Sequence, residues 1–150
     1  MGSMLLQHID KITEKRRQIA ALYREKLRDV RGIRLRPELP KEVRYNYAYM
    51  PVEVDEREFG VSRDKLYEEL KKFNIYSRRY FYPLVCDFPC YRSIAIKDPL
   101  TVAHLVSSRI LTLPIYYDLQ LEDVDKICNI IIMLSSKEST RQNSRVSTEV

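Results

Sequence analysis

The chain contains no tryptophan, only three glycines, and no apolar run long enough to cross a bilayer. Gly2, Gly32 and Gly60 are too scattered to form the glycine-rich loop that cradles a phosphate. The longest apolar stretch, residues 127–134, is less than half of the ~20 residues that a membrane-spanning helix needs. These absences exclude a phosphate-cradling loop, and we expect no membrane partner.

Cysteine is also scarce, with Cys86, Cys90 and Cys128 as the whole set. An odd number of cysteines, without an apolar leader near the start, predicts reduced thiols in a cytoplasmic protein. Cys86 and Cys90 are spaced like a metal-binding pair, but no second pair of cysteines or histidines stands nearby to complete four ligands. His8 and His104 lie on predicted helices, apart from any cysteine or serine constellation. We therefore expect no metal site.

No pattern in the chain is typical of a complete catalytic site. A Gly-x-Ser-x-Gly nucleophile elbow is absent, and carboxylate pairs fall mainly in predicted first helix turns, where the helix dipole accounts for them. The net charge of +5 comes mostly from the first 36 residues, where acidic residues are interleaved with basic ones at helical spacing. A solvated helix face explains this charge pattern, so we expect no nucleic-acid partner.

The hydrophobic periodicity predicts one α+β domain with the element order α-β-β-α-β-α-β-α. The predicted helices cover residues 5–30, 63–73, 99–108 and 121–134; the predicted strands cover 33–36, 43–54, 75–82 and 110–113, with a polar turn over 55–60. Gly32 is predicted to cap the first helix, Ser62 to N-cap the second, and Asn74 to end it in a left-handed conformation. Pro51 predicts an edge or a break in its strand, and Pro114 ends the last strand. We expect a small mixed or antiparallel sheet packed with helices.

The two ends of the chain differ from the predicted domain. Residues 1–3 resemble the remnant of an expression tag, residues 4–134 form the domain, and the polar, aperiodic residues 135–150 are predicted to be disordered. The first helix lacks an N-cap signal and carries Arg16 in its apolar stripe. Both features predict a helix that is packed over only part of its length, or one whose first half has lost the partner against which it would pack.

A short segment at residues 78–84 carries the strongest functional signal. Its sequence is Arg-Arg-Tyr-Phe-Tyr-Pro-Leu, and Pro89-Cys90-Tyr91-Arg92 follows soon after. A guanidinium binds phosphate or carboxylate as a rigid fork, and a tyrosine ring offers a stacking face with a polar tip. The combination suits a ligand with a flat base and a phosphate, such as a nucleotide; the alternative is an amphipathic edge strand with half-buried tyrosines. The candidate ligand-binding residues are Arg79, Tyr80 and Tyr82, followed by Arg78 and Tyr91.

Several motifs stand in collinear order between residues 5 and 134. They are Arg16-Arg17-Gln18-Ile19-Ala20 with Tyr23 and Leu27, Gly32-Ile33, Arg63-Asp64 with Leu66 and Leu70, Asn74-Ile75, the 78–84 segment, Leu111-Thr112-Leu113-Pro114-Ile115-Tyr116, and Glu122-Asp123-Val124. Together they resemble the DegT/StrS family, whose members use pyridoxal phosphate to aminate keto sugars carried on nucleotides. The 78–84 segment is most similar to members that make 3-amino-3,6-dideoxyhexoses on dTDP. Many members have a histidine soon after the Pro-Leu, where this chain has Val85-Cys86.

The resemblance implies the fold of the C-terminal small domain of fold-type I aminotransferases, here as the isolated small domain of an enzyme of deoxysugar biosynthesis. In the family, the pyridoxal phosphate site and the Schiff-base lysine belong to the large domain, and no lysine of this chain stands in that context. A Schiff-base lysine needs a positioned cofactor and a tuned pKa, so we expect this chain to bind no cofactor and to be inactive alone.

The resemblance also implies partners. They are a nucleotide-sugar substrate, which Arg79, Tyr80 and Tyr82 would help to orient, the large domain of the same enzyme type, and a second copy of the chain in a homo-oligomer.

Two other functions remain open at this point. The long basic N-terminal helix would make the chain a non-catalytic interaction module if its apolar stripe docked into a partner's groove. A small RNA- or DNA-binding domain is the third option, and it predicts binding that weakens steeply with salt.

Overall fold

The computed structural model describes residues 6–40, 42–91 and 98–146, with side chains up to residue 135. Its helices are α1 (Ile9–Leu27), α2 (Glu56–Phe59), α3 (Arg63–Lys71), α4 (Thr101–Arg109) and α5 (Leu121–Val146). Its strands are β1 (Ile33–Leu35), β2 (Met50–Val54), β3 (Arg78–Arg79) and β4 (Ile110–Leu113), and a 3₁₀ turn covers Val85–Asp87. The predicted element order is confirmed, and the short helix α2 replaces the predicted polar turn.

The four strands form one antiparallel sheet in the order β1-β2-β4-β3. Residues that pair directly across antiparallel strands point to the same face of the sheet. Val52 pairs with Leu111, which pairs with Arg79, and both apolar residues are in the core, so Arg79 belongs to the core-facing side. Arg78 pairs with Thr112 and belongs to the opposite side. The expected α+β architecture is confirmed.

The core lies between one face of this sheet and the helices α1, α3 and α5. Helices α1 and α5 pack against each other, and α3 contacts both α5 and β4. The helical core residues are Ile19, Ala20, Tyr23 and Leu27 of α1, Leu66 and Leu70 of α3, and Val124, Ile127, Cys128 and Ile131 of α5. Burying each large apolar side chain contributes about 1.5–3 kcal/mol. The hydroxyl of Tyr23 donates to the carbonyl of Pro114 at 3.1 Å, so its polar tip is satisfied inside the core.

Two of the three predicted helix caps are observed. The Ser62 Oγ accepts a hydrogen bond from the Lys65 backbone N–H at 3.2 Å, and Asn74 has φ +58° just after α3. Gly32 has φ +79° but lies beyond the end of α1, where Arg28 is the cap, so the predicted capping role of Gly32 is wrong. Its carbonyl accepts from the Asp55 N–H at 2.8 Å, and a Cβ at this position would collide with the Phe59 backbone. Glycine is required here by the close approach of two segments.

Two strands are shorter than predicted. The strand expected over 43–54 begins only at Met50, and the one expected over 75–82 is reduced to β3. Phe81 has φ +47°, which is outside the strand region and ends the pairing. The pairing of β1 with β2 ends at Val52, so the next residue, Pro51, has a partner strand on one side only, which is β4. This agrees with the edge or break that Pro51 predicts.

The last two helices also differ from the prediction at one end. Helix α4 begins at Thr101 instead of residue 99, because Asp98 accepts from the Leu100 N–H and Leu100 adopts φ +49°. Helix α5 continues to Val146, so the backbone of 135–146 is helical. This stretch contains neither glycine nor proline to end the helix. The remainder of the tail predicted to be disordered, residues 147–150, and the predicted tag remnant, residues 1–3, lie outside the described residues. Among the described residues, no helix has both the length and the apolar character that spanning a bilayer requires.

Candidate functional site

The strand β3 and the first turns of α3 meet at one edge of the sheet. Because Arg79 belongs to the core-facing side, its side chain reaches α3. Its Nε lies 2.9 Å from Asp64 Oδ1, and its Nη2 lies 3.8 Å from Glu68 Oε1. These are ion-pair distances, and the guanidinium of Arg79 is therefore already matched by two carboxylates.

Aromatic rings enclose the same guanidinium. The Arg79 Cζ lies 4.5 Å from the centroid of the Tyr67 ring and 5.6 Å from that of Tyr82. The Tyr82 ring also contacts Arg63, whose Cζ lies 4.9 Å from the ring centroid. Each such cation–π contact contributes about 0.5–2 kcal/mol, depending on exposure. We call Arg63, Asp64, Tyr67, Arg79 and Tyr82 the arginine–tyrosine cluster.

Arg63 joins this cluster to the end of α4. The residue is buried, and its Nη1 donates to the carbonyls of Ser107 at 3.0 Å and Ile110 at 2.9 Å. Its Nε lies 3.0 Å from Asp64 Oδ1. In the sequence, Arg63 and Asp64 stand out only as part of a family motif, and nothing there places them beside Arg79 and Tyr82. The available signal was a cation in the first turn of a helix, where the dipole disfavours positive charge and a tertiary partner is required.

Arg78 and Tyr80 lie outside the arginine–tyrosine cluster. Arg78 is exposed on the opposite side of the sheet, so its guanidinium is accessible to a solvent-borne anion. The Tyr80 ring packs against Tyr49, with centroids 4.8 Å apart, and against Phe81 at 4.1 Å. Burial raises the pKa of the Tyr80 phenol. Of the five predicted ligand residues, the structure thus brings together only Arg79 and Tyr82.

Tyr91 lies at the end of the loop that follows β3. Its backbone N–H donates to the Phe88 carbonyl, and its ring is exposed. Within the described residues, no ion pair or ring contact joins Tyr91 to the arginine–tyrosine cluster. Arg92, the last residue of the motif, lies outside the described residues.

The structure contains a second arginine- and tyrosine-lined cleft that sequence analysis missed. It has a volume of about 300 Å³ beside α1, and its lining includes Arg17, Arg36, Tyr45 and Tyr47. The Arg36 Cζ lies 5.1 Å from the Tyr45 ring centroid, while Arg17 pairs with Glu14 at 2.7 Å on its own helix. Arg24 also lines the cleft, and its Nη1 donates to the Arg36 carbonyl. The cleft therefore offers two tyrosine rings and the guanidiniums of Arg24 and Arg36, so it is an alternative binding site for the same kind of ligand.

One further prediction needs correction. His104 was expected to lie apart from any cysteine, yet its imidazole is within 4.8 Å of the ligating atoms of Cys86 and Asp87. Cys86 and His104 are 18 positions apart in the sequence, and this separation hid the proximity of α4 to the 3₁₀ turn. Cys128 lies elsewhere, in the core, where burial raises the pKa of its thiol to about 12.

The geometry can now be compared with known proteins. The model of the DegT/DnrJ/EryC1/StrS aminotransferase family matches residues 1–132. The chain belongs to this family. Solved structures agree: DesI in the presence of its TDP-sugar product superimposes with a TM-score of 0.83 at 25% identity, over 97% of this chain and 37% of that one. The family resemblance inferred from the sequence motifs is confirmed.

Two of the curated relatives that match this chain have names that specify a sugar nucleotide. The dTDP-4-amino-4,6-dideoxy-D-glucose transaminase of Escherichia coli is 42% identical over 133 residues, which is 87% of this chain and 35% of the relative. The GDP-perosamine synthase of Vibrio cholerae is 30% identical over 131 residues, again 87% and 35%. The chain therefore spans about a third of the length of these relatives. The E. coli name specifies an amino group at C4, whereas the 78–84 segment suggested C3.

The lysines of this domain can be tested against the pyridoxal phosphate that the family uses. Lys26 and Lys126 are exposed and pair with Asp125 at 2.6 Å and Asp123 at 2.8 Å, and these carboxylates raise the pKa of both amines. A Schiff-base lysine needs a lowered pKa in a desolvated site. No lysine whose side chain the structure describes is buried. The described residues therefore do not fit the covalent site of the cofactor.

Proposed function

We propose that this chain is the small domain of a nucleotide-sugar aminotransferase and does not catalyse transamination by itself. The observation that carries the proposal is the family match over residues 1–132 in a chain that spans about 35% of its curated relatives. The exposed, acid-paired lysines support the second half of the proposal. Pyridoxal phosphate, when bound by the rest of such an enzyme, would supply the amino-transfer chemistry.

The parent reaction that we propose is amination at C4 of a dTDP-linked 6-deoxy keto sugar. The support is the name of the E. coli relative, which is 42% identical to this chain, against 30% for the relative named for a GDP sugar. We therefore place the amino group at C4 and replace the C3 position that the 78–84 segment suggested.

On this chain, we propose that Tyr80, Tyr82 and Tyr91 present the ring surface to the sugar nucleotide and that Arg78 supplies the cation for its phosphates. Arg78 is exposed, whereas Arg79 lies 2.9 Å from Asp64. A phosphate would have to displace this carboxylate to reach Arg79. The role of Arg79 is therefore to hold the Tyr82 ring in place, through orientation and not through bond-making.

A titration of the ¹⁵N-labelled chain with dTDP-glucose tests this site. We expect saturable amide shifts confined to residues 78–82 and 91. We also expect roughly tenfold weaker binding for Arg78→Ala, because a charge-assisted hydrogen bond contributes about 1.5–3 kcal/mol. Arg57→Ala, at an exposed arginine of α2, is the matched control.

Two outcomes would overturn the proposed residues. Shifts centred on Arg36 and Tyr45 would move the nucleotide to the cleft beside α1. A dispersed spectrum that does not respond to dTDP-glucose would show that the domain has no independent subsite. Titration with GDP-mannose then checks the nucleotide: equal affinity for both would contradict the dTDP preference.

Incubation of the chain with pyridoxal phosphate, an amino-acid donor and dTDP-4-keto-6-deoxyglucose tests catalysis. We expect no amino sugar by mass spectrometry and no stable adduct of the cofactor with a lysine. Amino-sugar formation above that of the heat-unfolded chain would refute the proposal that this domain is inactive alone.

The partner that we propose for the domain is the remainder of the same enzyme type. Apolar side chains are exposed on α4 at Val102, Leu105 and Val106, and at Leu6 and Ile9 near the start of α1. About two-thirds of the length of the relatives lies outside the matched part and is available in them to cover such surfaces. Without that cover, we expect concentration-dependent self-association in sedimentation velocity, reduced in Val102→Ser/Leu105→Ser but not in Lys72→Ser. A monodisperse monomer at high concentration would contradict this expectation.

The burial of α1 disfavours the alternative function, in which the apolar stripe of α1 docks into the groove of a partner protein. Ile19, Tyr23 and Leu27 of this stripe are already buried in the core of the domain itself. Docking the stripe into a partner's groove would require these residues to leave the core. The buried residues of α1 all lie in its second half, and Ile9 at its start is exposed, which agrees with a helix packed over only part of its length.

A further inference from the structure

Three metal-ligating side chains from two segments converge beside the loop that follows β3. Cys86 and Asp87 belong to the 3₁₀ turn, and His104 lies on the second turn of α4. Their ligating atoms all lie within 4.8 Å of one another, and Cys86 Sγ is 3.9 Å from Asp87 Oδ1. This group is separate from the arginine–tyrosine cluster and from the cleft beside α1.

The combination of ligands favours a transition-type ion such as zinc over magnesium and calcium. Thiolate, imidazole and carboxylate are the three side-chain ligands of Zn²⁺, whereas Mg²⁺ and Ca²⁺ prefer oxygen alone. With zinc–ligand bonds of about 2.0–2.3 Å, neighbouring ligand atoms of a tetrahedral site lie roughly 3.3–3.8 Å apart. The three atoms would have to approach by only about 1 Å, which side-chain rotation provides because His104 is exposed.

We propose that Cys86, Asp87 and His104 form a zinc-binding site with a water in the fourth position. Three protein ligands and one open position are a common coordination for this ion. The half-buried Cys86 and Asp87 hold one side of the site, and the exposed His104 leaves an entry path from solvent. The proposal does not depend on the proposed aminotransferase function.

A bound ion would have a structural consequence. It would tie the 3₁₀ turn to α4, a helix of which only Ser107 is buried. A ligand that binds only the folded state stabilises it by mass action. Zinc should therefore raise the thermal midpoint of the chain, and protection of the α4 amides should rise most.

Cobalt serves as the spectroscopic probe. The full chain, stripped of metal with a chelator, is titrated with Co²⁺ and then with Zn²⁺. We expect one equivalent of Co²⁺ to give a thiolate-to-cobalt charge-transfer band and a visible spectrum of tetrahedral intensity, both removed by Zn²⁺. Circular dichroism establishes that each variant is folded before its titration.

Matched variants separate the three ligands from their neighbours. Cys86→Ser should lose the charge-transfer band, and Asp87→Asn and His104→Gln should each bind at least ~10-fold more weakly, since even changes beside metal ligands cost this much. Cys90→Ser and His8→Gln are the controls and should bind like the unmodified chain, with the same zinc-induced rise in thermal midpoint.

Either of two results would overturn the proposal. One is the absence of a saturable one-to-one complex in the unmodified chain. The other is a loss of binding in Cys90→Ser as large as that in Cys86→Ser, which would point to a cysteine pair instead of the Cys86, Asp87 and His104 set.

Discussion

Helices α3 and α4 both contain nine residues, but they are packed very differently. Leu66 and Leu70 of α3 are completely buried, whereas Val102 and Leu105 of α4 are 73% and 49% exposed. The two N-termini differ in the same direction. A Ser62 hydroxyl caps α3, while α4 follows Leu100, which holds a left-handed backbone and makes no side-chain cap.

The difference shows what stabilises a short helix. An isolated helix of nine residues is marginal in water, so packing must stabilise it. Helix α3 packs into the core, but α4 is held mainly at its last turn, where Arg63 binds the carbonyls of Ser107 and Ile110. The apolar side chains of α4 are therefore exposed, and so is His104.

The largest expected contrast comes from removing a leucine from each helix. Leu70→Ala should lower the free energy of unfolding by about 2–5 kcal/mol, because it leaves a cavity in the core. Leu105→Ala should lower it by less than about 1 kcal/mol, since half of that side chain is already in water. Urea unfolding of both variants measures the difference. Equal losses would show that α4 is packed as tightly as α3.

The next effect concerns the residue that connects the two helices. Arg63→Met should cost about 2–4 kcal/mol, because the buried Ser107 carbonyl and the partly buried Ile110 carbonyl lose their charged donor. Arg78→Met, at the exposed arginine of β3, is the control and should change stability by less than about 0.5 kcal/mol. Hydrogen exchange should show faster opening of α4 than of α3 in Arg63→Met. Unchanged protection of α4 would refute the connecting role.

The two N-termini should respond in opposite directions to substitution. Ser62→Ala should cost about 1 kcal/mol through the lost cap of α3. Leu100→Gly should be neutral or add up to about 1 kcal/mol, because glycine accepts the left-handed backbone without the steric cost of a side chain. Thermal unfolding of the two variants distinguishes the cases, and a loss in Leu100→Gly would show that the leucine side chain is needed for packing.

The smallest effect is a pH dependence confined to α3. Lys72 and Lys65 hold the pKa of Glu69 at about 2, below its ordinary value of 4.5. A lowered carboxyl pKa stabilises the fold above about pH 4.5, and this contribution is lost as the pH falls toward about 2. Glu69→Gln should therefore flatten the acid limb of stability against pH, while Glu42→Gln, in an exposed loop, should not. Identical acid limbs would exclude the Glu69 contribution.

The elements with local signals could be predicted well. Ser62 and Asn74 mark the two ends of a helix, and Pro114 marks the end of a strand, through the chemistry of their own side chains or backbone. The observed α3 and β4 lie where these residues predict them. The strand that carries Arg79 was predicted six residues too long, because pairing across a sheet depends on a partner, β4, that is more than 30 residues away in the chain. The left-handed Phe81 has no such local signal.

The candidate site was predicted in composition but not in arrangement. The 78–84 segment stands out by its arginines and tyrosines, and Tyr82 does lie against arginine. Which arginine is paired follows from the register of β3 with β4: one residue of slip would exchange the sides of Arg78 and Arg79. The proximity of His104 to Cys86 could not be foreseen for a similar reason, since it depends on how α4 packs and not on residues that are neighbours in the sequence.

By itself, the sequence determined the family, the order of the elements and the helix boundaries that carry caps, because these depend on residues close together in the chain. The tertiary structure alone decided that Arg79 meets carboxylates while Arg78 faces solvent, that Arg63 holds α4, and that Cys86, Asp87 and His104 converge. These arrangements depend on strand register and helix packing, which are fixed only when distant segments bury a common core.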